Sequence, residues 1–211
     1  AKTSRSIGVR AVGTDAGITA LMSGACAVAL SSRPLTAAEE AFGLQSRMVG
    51  QDALAVVVAP GNPVRTLDVE ALRGIFSGRI QRWSEVGGPD IPITVIALNP
   101  NFGTHRLFQE MVLGDLPLTG AIRHAPSPAA VDALVAADPG AIGYTSLPLT
   151  QRAALVAVRA DVDHAPVLPS AVSVRDGSYP LVRSLFVVWR KDDPPDSLLD
   201  AVFSDEGKRV I

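Results

Sequence analysis

The chain has 211 residues, 47% hydrophobic and 19% charged, with 19 Lys and Arg against 21 Asp and Glu and a formal net charge of −2. That balance suits a folded protein with a sizeable core and argues against a disordered chain. It gives no electrostatic reason to expect nucleic acid or an anionic membrane as the main partner, and apolar runs such as 53–60 are under half a membrane span.

In chain order, residues 7–12 read as a strand, 13–17 as a turn, and 18–23 as a short helix closed by Gly24. Residues 1–5 carry no apolar segment of the signal-peptide kind. A buried strand is predicted over 26–30. It holds Cys26, and a lone cysteine excludes an internal disulfide; its apolar neighbours suit an inert, buried thiol. Thr36 predicts an N-cap, with Glu39 three residues on completing a capping box, while the Glu39-Glu40 pair reads as a solvated helix face. Residues 53–59 form a β-rich run that Pro60-Gly61-Asn62-Pro63 ends. Thr66 or Asp68 opens an amphipathic helix through Phe76. A strand over 92–98 leads into a helix over 104–113. Ser127 then caps a helix with Pro128 at its first position, and this helix stops before Asp138-Pro139-Gly140. Strands are predicted over 141–144, 154–158 and 181–189, and Pro194-Pro195 opens a last helix with a break near Ser204-Asp205. Trp83 and Trp189 read as core or loop anchors. The alternation predicts an α/β protein with mostly parallel sheets covered by helices. Seams after 59 and 144 set off a middle block with its own strand and helices. The expected plan is two lobes, 1–59 with 148–211 and 60–147, around a cleft of the kind that holds ligands.

Three strand-to-helix corners carry the candidate chemistry. At Phe102-Gly103-Thr104-His105, a helix start offers backbone N–H groups with no intrahelical partner and partial positive charge. Glycine lets a ligand approach the backbone, and a threonine hydroxyl adds a donor. Such a corner suits an anion, although a plain Thr N-cap looks the same. Gly13-Thr14-Asp15-Ala16-Gly17 is the second corner and Ser31-Ser32-Arg33-Pro34 the third. In open α/β sheets, ligands sit at the ends of strands where such corners lie. Ordinary loop chemistry is the other reading of the serines, and a surface ion pair that of Arg33. His105, His124 and His164 do not stand at metal-ligand spacing; His105 would add charge to its corner if protonated. No G-x-S-x-G, P-loop lysine or H-E-x-x-H is present, so neither an enzyme nor a metal or other cofactor is expected.

Longer stretches are more specific. "LRGIFSGRIQRWSEVGGPDIPITV" (72–95), "ALAVVVAPGNPV" (53–64), "DPGAIGYTSL" (138–147), "DGSYPLVRSLFVVW" (176–189) and the turn in "ALSSRPLTAAE" (29–39) resemble, in order and over nearly the whole chain, the phosphate-binding proteins of ABC phosphate transporters. The resemblance implies a periplasmic-binding-protein fold of type II. It further implies a non-enzymatic, periplasmic or extracytoplasmic protein that holds a small oxyanion, phosphate first, in an interlobe cleft for ABC import or sensing. A transporter permease or another envelope component would be its partner. The family's Ser-Gly-Ser-Gly-Thr loop corresponds to Pro100-Asn101-Phe102-Gly103-Thr104. Gly103 and Thr104 match, while Phe102 replaces a serine and would narrow the cleft or favour a ligand with an apolar part. The family's arginine falls on Leu98, and a carboxylate that some members use falls on Ser32; Thr14 stands where a ligand serine is usual. The implied ligand set is Thr14, Ser31, Ser32, Arg33, Gly103, Thr104 and His105. The resemblance also places a strand, a Ser/Thr turn and a helix before Ile7, more than six residues can supply. The alternative is a degenerate interaction or scaffold module of the cell envelope, whose open sheet edge would leave a monomer or an edge-paired dimer.

Overall fold

The computed structural model describes residues 8–10, 14–100 and 102–207. Contacts divide the chain into two compact units: residues up to Gln51 together with those from Arg183 on, and Asp52–Val182. The division therefore falls inside strands, away from the prolines and glycines that marked the expected seams.

The second unit is built on the latter half of β2 (Leu44–Val58). Leu54 to Val58 pair antiparallel with β6 (Ala141–Ser146), and Val57 and Val58 also pair antiparallel with β7 (Ala154–Leu155). β4 (Thr94–Leu98) lies parallel to both β6 and β5 (Ile122–Ala125). β2 over 54–58 and β4 over 95–98 are buried on both faces, which is why these segments read as unbroken apolar runs. α3 (Val69–Ser77) starts where Asp68 Oδ1 accepts from the Ala71 N–H at 2.7 Å and stops at Gly78, whose φ of +83° suits glycine. α5 (Pro128–Ala136) has the predicted Ser127 cap and leading proline. It lies close over β6 because Gly143 has no side chain; a Cβ there would sit 2.8 Å from Val131. Trp83 is fully buried and its indole N–H donates to the Gly140 carbonyl at 2.9 Å.

Residues 148–182, expected in the first lobe, pack within this second unit. β3 (Thr66–Asp68) pairs in parallel with β8 (Ala157–Arg159), and the buried Tyr179 hydroxyl donates to the Leu54 carbonyl at 2.8 Å. The half of β2 over 53–58 belongs to its core as well.

The first unit holds α1 (Thr14–Met22), β1 (Val28–Ser31), α2 (Ala37–Ala41), the early half of β2, β9 (Val182–Arg190, from Arg183) and α7 (Asp196–Phe203). β1 runs antiparallel to β9, with Val28 opposite Trp189 and Ser31 opposite Phe186. Its smaller core is Ile18, Leu21, Ala29, Leu44 and Val188. Cys26 packs at the margin of that core, half-buried rather than enclosed.

The sheets are mixed rather than mostly parallel, because β1–β9, β2–β6 and β2–β7 are antiparallel. Helix α1 begins at Thr14, four residues before the predicted start. β2 begins at Leu44, through polar residues that carry no strand signal. β5 and α6 (Ala171–Arg175) were not foreseen, and the helix expected over 104–113 is α4 (Gly103–Phe108) followed by a π-helical turn over Gln109–Leu113. Of the strand expected over 7–12, residues 8–10 are described and are not strand, and the other three lie outside the described residues.

Candidate functional site

In the second unit, the corner opens where β4 ends in the buried Leu98 and the chain turns into α4. Phe102, with extended backbone (φ −85°, ψ 133°), is the N-cap and has no side-chain cap bond. Thr104 is therefore the second helical residue and not the cap. The Phe102 carbonyl accepts from the His105 and Arg106 N–H groups at 3.0 and 3.3 Å. Among the described residues, the Gly103 and Thr104 N–H groups and the Thr104 hydroxyl find no acceptor within the protein. These are three donors at one helix start, on the side where the dipole is positive. The Phe102 ring packs against the unit's own core, so its apolar surface is already used by the protein.

Gly103 is informative. Its φ is not positive, and a Cβ built on it would meet no described atom within 4 Å. Neither backbone conformation nor packing requires glycine here; open approach to the two amides is what its missing side chain provides.

His105 turns inward. Its Nδ1 shares a hydrogen bond of 2.9 Å with the hydroxyl of Tyr144, a fully buried residue of β6 whose ring stacks on Phe108 at 3.9 Å. Burial lowers the imidazole pKa below its ordinary 6.5, with His124 adding a smaller push in the same direction. The same burial raises the Tyr144 phenol well above 10. Burial therefore favours the neutral imidazole, against a hydrogen bond to the Leu98 carbonyl that acts the other way, and His105 buttresses Tyr144 instead of lending an anion its charge.

In the first unit, Thr14 opens α1 and meets the turn after β1. Its Oγ1 accepts from the Ser32 N–H at 3.1 Å and lies 3.2 Å from the Ser32 hydroxyl. Ser31 is buried and serves the turn itself: its hydroxyl donates to the Arg33 carbonyl at 2.6 Å and accepts from the Arg33 N–H at 3.2 Å. Arg33 is committed to carboxylates. Its guanidinium binds both Glu39 oxygens (2.9 and 3.0 Å) and Asp15 Oδ1 (2.8 Å). The hydrogen bonds from Arg33, then those from Thr36, hold the Glu39 carboxyl down to about 2, and Glu39 and Asp15 together raise the Arg33 pKa. The ion-pair reading of Arg33 is the one the geometry supports. Glu39, read as solvated, has a side chain only 14% exposed. The capping-box signal was legible, and both of its bonds form; nothing in the local pattern said that the same carboxylate also receives Arg33.

The structure thus sets Thr14, Ser32, Gly103 and Thr104 at corners with hydroxyl or amide donors, and assigns Ser31, Arg33 and His105 to supporting contacts. Two open concavities, about 480 Å³ near Glu40, Arg47 and Trp189 and about 400 Å³ near Asp68, Arg79 and Arg159, involve none of these residues. Among the described residues, no three His, Cys, Asp or Glu side chains converge as a metal site, and no helix is long and apolar enough to cross a membrane.

A family model described as a PBP superfamily domain matches residues 1–208. The phosphate-binding protein PstS of Bacillus subtilis is 30% identical over 181 residues, which is 83% of this chain and 57% of that relative. This chain therefore spans little more than half of that protein's length. PstS of Borreliella burgdorferi is 24% identical over 215 residues, 95% of this chain and 75% of the relative. Among solved structures, an ABC-type phosphate transport receptor from Vibrio cholerae superposes with a TM-score of 0.79 at 26% identity, over 95% of this chain and 83% of that one. These likenesses bear out the resemblance read from the motifs and the periplasmic-binding-protein fold it implied.

Proposed function

The chain belongs to the PBP superfamily, and from that premise we propose that it is a non-enzymatic solute-binding protein for a small oxyanion, phosphate first, serving ABC import or sensing outside the cytoplasm. The names of its relatives supply the ligand class and the transport setting. The observation that carries the reading on this chain is Gly103: a glycine that no described neighbour requires, beside two amides and a threonine hydroxyl with no acceptor among the described residues.

Hydrogen bonds to a charged group contribute about 1.5–3 kcal/mol each, so these three donors offer roughly 5–9 kcal/mol gross. Micromolar affinity needs about 8 kcal/mol net, after losses of translational freedom and dehydration. The corner by itself falls short of tight binding. In the first unit, Thr14 and Ser32 offer hydroxyl groups at a corner of their own. With Leu98 in place of an arginine, and Arg33 and His105 otherwise engaged, no free cation reinforces either corner among these candidates. Binding should therefore be moderate and should weaken little with salt, since it rests on short-range donors rather than net charge.

Isothermal titration calorimetry at low ionic strength tests the proposal, with phosphate, arsenate and sulfate titrated separately. Saturable heat with phosphate is the expected result, weakened by Thr104→Ala. Absence of heat with all three anions would remove the ligand and the function with it.

A further inference from the structure

The Arg33 guanidinium ties three segments of the first unit together. Nη1 donates to Glu39 Oε2 at 3.0 Å and to the Pro34 carbonyl at 3.1 Å; Nη2 donates to Glu39 Oε1 at 2.9 Å and to Asp15 Oδ1 at 2.8 Å. Glu39 is itself fixed at the start of α2: its Oε2 accepts from the Thr36 N–H at 2.7 Å, and its own N–H donates to Thr36 Oγ1 at 3.3 Å. Asp15 sits in the first turn of α1, next to Thr14. On the other side of Arg33, the Ser31 hydroxyl locks the turn and the Ser32 N–H reaches Thr14 Oγ1. A continuous set of contacts therefore runs from α2 through Glu39 and Arg33 to both members of the Thr14–Ser32 pair.

We propose that Glu39 is a positioning residue for anion binding: acting through Arg33, it holds the Ser31–Pro34 turn against α1 and so sets where the Ser32 and Thr14 hydroxyls stand. The inference rests on the reading of Thr14 and Ser32 as anion donors. A direct role for Arg33 is disfavoured because its fork already spans one carboxylate bidentately and reaches a second. That geometry suits a guanidinium and cannot be reproduced by a single ammonium. Donors held in place before the ligand arrives bind more tightly than donors that must be ordered on binding. A clamp distant from the anion thus sets affinity without touching it.

Glu39→Gln is the informative variant, because glutamine keeps the helix cap while losing the charge that holds Arg33. Arg33→Lys keeps the charge and loses the fork. Phosphate affinity is read by calorimetry in the parent, in each variant, and in each variant combined with Ser32→Ala. Exchange of the Ser32 amide with solvent is read by NMR without phosphate. Both variants should weaken phosphate about tenfold, a loss of ~1.4 kcal/mol, and speed Ser32 amide exchange. In the Ser32→Ala background the same changes should cost less than about twofold, because the interaction they act through is gone. Equal weakening in both backgrounds would mark a general structural effect and overturn the proposal. So would unchanged affinity with unchanged exchange. If the parent binds no phosphate, the functional reading fails on that result alone. Exchange then decides the positioning: faster exchange in Glu39→Gln upholds it, and unchanged exchange refutes it.

Discussion

Replacing Gly103 with alanine should move stability and ligand binding in opposite directions. The residue is the first of α4, has no positive φ, and has open space where a Cβ would go. Alanine there restricts the unfolded chain without strain in the folded one, which stabilises by about 0.4–1 kcal/mol. For a chain of this size that is a rise of roughly 1–4 °C in melting temperature. The new methyl, however, does not point away from the donors. Cα–Cβ bonds in a helix tilt toward its N-terminus, the direction in which the Gly103 and Thr104 amides also point. A methyl in that space pushes an anion out of reach of at least one of them. One lost hydrogen bond to a charged oxygen costs about 1.5–3 kcal/mol, or about ten- to a hundredfold in affinity. Calorimetric titration with phosphate and differential scanning calorimetry on the same preparation read both effects. A variant that melts higher but binds phosphate within about threefold of the parent, well under 1 kcal/mol, would refute the argument, because those amides would then not face the ligand.

Asp132 offers a test of the scaffold. It is 4% exposed and accepts from the N–H groups of Gln151, Arg152 and Ala153 at 3.2, 2.9 and 3.0 Å. Asp132→Ala should cost about 2–4 kcal/mol, less than three full bonds, because the exposed Gln151 and Arg152 can turn to water; a urea midpoint unchanged from the parent would contradict this. His105 offers a test by pH. The folded protein resists protonating this buried imidazole more than the unfolded chain does, so stability is complete above its ordinary pKa of 6.5 and declines as pH falls below it. Melting curves between pH 8 and 5 should show the parent losing more stability than His105→Gln, and an NMR titration midpoint for His105 at or above 6.5 would overturn the account.

Signals confined to a few neighbouring residues were enough for much of this protein. The Thr36–Glu39 box, the Ser127-Pro128 helix start, the doubly buried 54–58 run and the donor-rich Gly103-Thr104 corner each depend on residues within a turn of one another. Long motifs placed the chain in its family. What tertiary structure alone decided involves partners far apart along the chain. Antiparallel pairing of β2 with β6 made the sheets mixed, the pairings of β7 with β2 and β8 with β3 drew 148–182 into the second unit, and a polar stretch over 44–51 became strand because β9 lay beside β2 to bond. His105 looked like a charge for an anion until Tyr144, from β6, took it inward. Arg33 looked like a ligand residue until Asp15 and Glu39 closed on it from two helices. Periodicity and caps report the energetics of one segment; which face of one segment meets which residue of another is settled by packing, and no local pattern in this sequence encodes it.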